Sequence, residues 1–244
     1  ASVSHTTARR KHYDHRRRNL FKLSDSRNRH LPLLNVTVSS LDQARIAFQN
    51  GADQVLLGLE GLVSGRRPAK NQIKEWLKQS PLDAEKLIPV LPRIHLPGDL
   101  HNYRDIIEAG CHKIMVGNWG DLNWSLKQDA RIMSDYSLNV FNAYSQQTLE
   151  AMGVVSVCLS PELNFKQLQS WPDFAKVELL IHGQLQLMES QHCMLCTVQG
   201  EEPEHCKAPC RRDRFYLQDE KQYKFPVATD ADCRFHVFNS RTLC

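Results

Sequence analysis

The chain has 244 residues, of which 41% are hydrophobic and 24% charged, a balance that excludes a disordered polymer and suits a globular protein of one domain. No run approaches the roughly 18 uninterrupted apolar residues of a membrane-spanning helix, and the opening Ala1-Ser2-Val3-Ser4-His5 lacks the apolar core of a signal peptide, so a cytoplasmic protein without a membrane partner is expected. Residues 1–30 carry nine basic and two acidic side chains, a charge of +7, which against the whole chain's +4 leaves the other 214 residues at −3.

Residues 1–30 form the first segment, a basic flexible arm or linker. Arg9-Arg10-Lys11 and Arg16-Arg17-Arg18 stand among few apolar residues, too few to offset the entropy of ordering. Two readings follow: an arm attracted to the phosphates of RNA, or a solvated linker from an upstream domain.

Residues 31–184 read as a (β/α) barrel, because strand and helix signals alternate at about 25 residues per unit. Strands are expected at Leu33–Val38, Gln54–Leu59, Leu87–Leu91, Lys113–Gly117, Leu138–Phe141, Val155–Leu159 and Val177–Ile181. Helices are expected between them, around Ala44–Phe48 with Ser39 or Ser40 as N-cap, Ile73–Lys78, Tyr103–Ala109, Leu122–Gln128, Gln146–Met152 and Phe165–Ser170. Short apolar runs of this kind are parallel strands buried on both faces. Seven strands are one short of the eight that close a barrel, so the eighth is missing or donated from upstream. An open doubly wound sheet shares the alternation. The barrel is preferred because no Gly-x-Gly-x-x-Gly turn follows the first strand, and because Glu60, His95, Asn118, Asn139, Asn142, Glu162 and His182 recur near the carboxyl ends of strands.

Residues 185–244 form a Cys-rich extension in which the rhythm stops. Six of the eight cysteines, Cys193, Cys196, Cys206, Cys210, Cys233 and Cys244, fall in the last 52 residues. Clustered thiols without a secretory signal read as metal ligands before disulfides, and a long segment with weak periodicity is expected to need a ligand to order it. Cys193-x2-Cys196 with Cys206-x3-Cys210 suits a zinc ion held by two close pairs. The dispersed set Cys193, Cys206, Cys210 and Cys233 suits an iron–sulfur cluster held from several loops, and Cys244 is the weakest candidate. Arg211, Arg212 and Arg214 follow Cys210 directly, where positive charge would offset the thiolates or touch an anionic substrate.

Several runs together resemble a known family. They are Glu178-Leu179-Leu180-Ile181-His182-Gly183, Met188, His192-Cys193, Cys206-x3-Cys210, Phe225-Pro226-Val227, Asp230, Cys233 and Asn239-Ser240. Upstream runs join them: Asn50 to Gly58, Asp135 to Asn142, and Leu159-Ser160-Pro161-Glu162-Leu163. The pattern over residues 33–243 is similar to the collagenase-like peptidases, unclassified peptidase family 32. The resemblance implies a (β/α) barrel and, in many members, a [4Fe-4S] cluster, here on Cys193, Cys206, Cys210 and Cys233 with Cys196 as an alternate ligand. It also implies a choice of activities, since relatives include oxygen-independent hydroxylases of RNA bases, some with prephenate as oxygen source, and hydroxylases of ubiquinone precursors. Family members begin with a Pro-Ala-Gly-type barrel segment. Here the basic arm leads directly into Asn35-Val36-Thr37-Val38-Ser39, as in the second half of longer members, which implies an upstream domain or partner subunit.

A peptidase finds little support in the residues: neither His-Glu-x-x-His nor Gly-x-Ser-x-Gly occurs, and a thiol bound to metal is no nucleophile. The expected function is iron–sulfur-dependent, oxygen-independent hydroxylation of an RNA base of tRNA or rRNA, with Arg16 to Arg18, Arg211, Arg212 and Arg214 on phosphates. Asn139, Asn142, Glu162 and His182 would bind the base edge at the barrel mouth. The alternatives are a peptidase, a hydroxylase of a small aromatic or quinone precursor, and a non-catalytic module with structural zinc.

Overall fold

Short apolar runs joined by capped helices build the first two-thirds of the molecule. The computed structural model describes residues 32–62, 67–80, 84–95, 99–200 and 205–243; the basic arm with Arg16 to Arg18, and Cys244, lie outside the described residues. The elements run β1 (Asn35–Val38), α1 (Leu41–Gln49), β2 (Gln54–Gly58), α2 (Lys70–Gln79), β3 (Leu87–Val90), α3 (Asp99–Glu108), β4 (Lys113–Val116), α4 (Trp119–Ser125), β5 (Arg131–Ser134), α5 (Ala143–Ala151), β6 (Val154–Cys158), α6 (Phe165–Gln169) and β7 (Val177–Glu178). All seven strands are parallel and pair in chain order. Four helices open on a side-chain oxygen that accepts an otherwise unpaired backbone N–H: Ser40, Asn118, Asn142 and Asn164.

The period of two along each strand sorts the core into two layers. Val55, Leu57, Ile114, Val116, Val154 and Val157 face the helices in the main cluster. Leu56, Ile88, Met115 and Met133 face the other way and pack together with Val90. That second layer is an inner one because the sheet curls. Held flat, β1 and β7 would be six strand spacings apart, about 29 Å, yet the Asn35 side chain of β1 lies close enough to the Glu178 carboxyl of β7 to oppose the rise of its pKa. The result is an α/β fold with a seven-stranded, incomplete TIM-like barrel.

The fifth strand is not where the apolar pattern puts it. Leu138–Phe141 is expected as a strand, but Tyr136–Leu138 is a 3-10 turn capped by Asp135, and Asn139 is left-handed at φ 52°. Only Val140 makes a parallel bridge, to Leu159. The strand is Arg131–Ser134, whose single apolar pair is too short to register as a run. Ile132 nevertheless joins the outer layer and Met133 the inner one. Asn tolerates the left-handed conformation that a β-branched residue resists, so the turn wins over the strand.

The extension is also more regular than its composition suggests. It contains β8 (Gln186–Ser190), α7 (Met194–Val198), β9 (Phe215–Gln218), β10 (Lys224–Thr229) and β11 (Phe235–Phe238). The four strands form an antiparallel sheet in the order β8-β11-β10-β9. Most of β9 is exposed and Pro226 interrupts β10, so the apolar alternation that announces a strand is largely absent. Among the described residues, no helix is long and apolar enough to cross a membrane.

Candidate functional site

Two loops and two turns carry the thiols. Cys193 sits at the N-cap of α7, Cys210 inside the turn Pro209–Arg211, Cys206 just before that turn, and Cys233 in the tight connection between β10 and β11. Ala208 at φ 49° and Cys233 at φ 60° are left-handed, a conformation that costs a residue with a Cβ about 1–2 kcal/mol and that the surrounding structure must enforce. The Ala208 N–H donates to Cys206 Sγ at 3.4 Å. Burial pushes the Cys233 thiol up; Arg211 opposes this, and Cys210, Cys193 and Cys206 add to it. Three distant thiols and one guanidinium therefore lie within electrostatic reach of Cys233.

Among the described residues, no three of these sulfurs lie within 4.8 Å of one another. Cys196 turns inward on α7 and is 4% exposed, while Cys233 is exposed and Cys193, Cys206 and Cys210 are half-buried. All seven described cysteines are free thiols.

The extension covers the carboxyl ends of the barrel strands. The Ala231 N–H donates to the Glu60 carbonyl just beyond β2 at 2.9 Å, and Arg67 pairs with Asp232. The Gln186 backbone of β8 approaches the Tyr136 hydroxyl beyond β5 closely enough to lower its pKa. Beneath this contact Arg93 donates to Asp135 Oδ2 from Nε at 3.1 Å and Nη2 at 3.0 Å. The Arg93 guanidinium also stacks 4.4 Å over the Tyr136 ring. Burial works against its charge, but Asp135 and Tyr136 together more than compensate and raise its pKa. Gly117 makes the approach possible, since a Cβ there would lie 2.7 Å from Ser137 Oγ and 3.1 Å from Arg93 Cγ. His95 stands 2.6 Å from Asp121, which also accepts from Asn118.

One carboxyl in the barrel interior has an unusual proton affinity. Burial pushes Glu178 up to about 7, the nearby Asn35 side chain opposes the rise, and Asp135 adds to it. Glu178 Oε2 and Asn35 Oδ1 are both shielded and make no hydrogen bond. A group with this pKa exchanges a proton near neutrality, which an ordinary carboxylate does not.

The polar residues expected at the mouth stand on its exposed rim. Asn139 ends the turn after Asp135. Asn142 spends its side-chain oxygen on the N–H and hydroxyl of Ser145, at 2.9 and 3.3 Å. Glu162 lies in the loop after β6, its N–H reaching Ser160 Oγ at 3.4 Å, and His182 follows β7. Arg211, Arg212 and Arg214 are exposed, and Arg211 is the one placed beside the thiols. Of the interior groups, Asp135 and Glu178 fall in runs of the family pattern but without an assigned role, and Arg93 falls in none. Arg93 had one usable signal, a charged residue just past an apolar strand, where barrel enzymes keep functional groups.

Comparison with known proteins adds three findings. The model of the family described as peptidase family U32 matches residues 39–244. Among curated proteins none matches. A solved structure described as that of the U32 peptidase Mk0906 aligns at a TM-score of 0.46 and 11% identity, covering 61% of this chain and 67% of that one.

Proposed function

The chain belongs to peptidase family U32, and on that premise we propose that it is an iron–sulfur-dependent, oxygen-independent hydroxylase of an RNA base, with a [4Fe-4S] cluster on Cys193, Cys206, Cys210 and Cys233. The observation that carries the reading is the gathering of Cys193, Cys206 and Cys210 around Cys233 and Arg211, on a turn docked at the barrel mouth. When bound, such a cluster supplies the electron-transfer or Lewis-acid chemistry that side chains lack.

The chain's own groups have separate tasks. Arg211 offsets thiolate charge, and Arg212 and Arg214, exposed beside it, hold phosphates of the RNA. Asn139, Glu162, His182 and the free amide of Asn142 present hydrogen-bonding groups to the base edge at the rim. The Arg93–Asp135 pair, locked by Tyr136 and Ser137, keeps the interior wall in one conformation. Glu178 holds or releases a proton in the interior. Prephenate, an oxygen donor for relatives of this kind, bears two carboxylates that the arginine-bearing side of the mouth suits.

Anaerobically purified protein should contain iron and acid-labile sulfide and show a broad visible band that bleaches on reduction. Nucleosides of tRNA or rRNA from cells lacking the gene should lose one hydroxylated base by mass spectrometry. A colourless protein with one zinc would overturn the cluster. A cluster-containing protein with an unchanged nucleoside profile would overturn the RNA substrate in favour of a small aromatic molecule.

A further inference from the structure

A second group of ligand-type side chains, on different residues from the thiols, lies where the antiparallel sheet meets the barrel. Glu189 of β8, His236 of β11 and Asp230 at the end of β10 offer ligand atoms that all lie within 4.8 Å of one another. The side chains of His236 and Asp230 are both 0% exposed. His236 Nε2 and Glu189 Oε1 are shielded from solvent and make no hydrogen bond; Nε2 stands 3.5 Å from Asp230 Oδ2. A buried polar atom without a partner costs about 1–3 kcal/mol, and here two such atoms belong to one cluster.

The charge in this region also calls for a cation. Glu60, beyond β2, is drawn into the same field: burial raises its pKa, His236 and Arg93 oppose the rise, and Glu189 and Asp230 add to it. Asp230 Oδ1 accepts the N–H groups of Asp232 and Arg234 at 2.9 and 2.8 Å, which fixes its carboxylate. Arg234 Nη1 is shared, at 3.4 Å from Asp230 and 3.0 Å from Asp232, and Arg67 also pairs with Asp232, so two guanidiniums serve Asp230 and Asp232 while Glu189 and Glu60 add further negative charge.

We propose that Glu189, Asp230 and His236 form a binding site for a divalent transition-metal ion of the manganese or iron(II) class, distinct from the cysteine centre. One imidazole and two carboxylates are a hard-to-borderline donor set, unlike thiolates, and select such an ion over a soft one. The Gln186 amide acts as its support. Its Nε2 lies 3.1 Å from both His236 Nδ1 and Glu189 Oε2, which places the histidine proton on Nε2. Turning that amide by half a revolution lets its carbonyl accept from Nδ1–H, and the Nε2 lone pair then faces the two acids. The rotation gives up the amide's bond to Glu189 Oε2, so loading the ion costs one hydrogen bond and frees that carboxylate for the ion, which gives partners to both orphaned atoms.

The test is Mn2+ titration of the anaerobically purified full chain, followed by electron paramagnetic resonance, with Co2+ as an optical probe. One Mn2+ should bind per chain. Co2+ should give weak ligand-field bands without the intense sulfur-to-cobalt charge transfer of a thiolate site. Glu189→Gln, at a half-buried position, and His236→Gln should each weaken Mn2+ binding at least ten-fold. If His236→Gln does not fold, Glu189→Gln decides, its fold checked by circular dichroism. Absence of saturable Mn2+ binding, binding unaltered by Glu189→Gln, or a thiolate-type cobalt spectrum would each overturn the site.

Discussion

The barrel and the extension are held together by different physics. Of the buried hydrophobic residues, only Cys196, Phe235 and Val237 lie beyond residue 184 among those described, whereas the barrel buries two apolar layers, one against its helices and one inside. The extension instead buries Asp230, Arg234 and His236, and it carries the thiols. A region that buries little apolar surface gains little hydrophobic stabilisation. The difference teaches that the barrel is a self-sufficient scaffold, while the extension relies on its polar network and on the inorganic centre proposed for it.

Removing that centre should separate the regions most sharply. Stripping iron with a chelator, or the substitution Cys210→Ser, should lower hydrogen-exchange protection of β8 to β11 by about a hundred-fold or more, because ligand binding is folding free energy in a metal-ordered region. Protection in β2 to β4 should stay unchanged, and equal loss in both regions would erase the contrast. Next in size, Leu57→Ala in the fully buried outer layer should cost about 2–5 kcal/mol in denaturant unfolding. Leu187→Ala, at 51% exposure in β8, should cost under about 1 kcal/mol.

Glu178 sharpens the comparison through pH. Its folded pKa, raised to about 7, exceeds the ordinary carboxylate value, so the folded state binds the extra proton. The associated stability is full below about pH 4 and is lost as pH rises through about 7. Glu178→Gln should flatten that slope and, above pH 7, make the barrel more stable by about 1–3 kcal/mol in thermal unfolding. A wild-type stability that rises over this interval, and does so equally in Glu178→Gln, would contradict the assignment. The smallest effect belongs to Asn142→Ala, which removes the α5 cap and should cost about 1 kcal/mol. If the proposed activity falls by far more than stability accounts for, the Asn142 amide also contacts substrate.

Much of the scaffold was legible in the residues. Six of the seven strands and the cap at Ser40 are local signals, set by side-chain periodicity and by turn chemistry within a few positions. The strand at Arg131–Ser134 escaped because its identity comes from burial on both faces, which two apolar residues cannot announce. The antiparallel sheet escaped for a similar reason: β9 is largely exposed, so its pairing with β10 leaves no alternation to read.

By itself the amino-acid sequence determined the alternating strands and helices, the family pattern and the identity of the thiols, since all of these are properties of short segments. Tertiary structure alone decided three things. It curled the sheet until Asn35 met Glu178, buried Arg93 against Asp135, and drew Glu189, Asp230 and His236 within 4.8 Å of one another. The reason is that proton affinity and metal affinity depend on the local dielectric and on charges brought close from distant positions, and spacing along the chain carries no record of either.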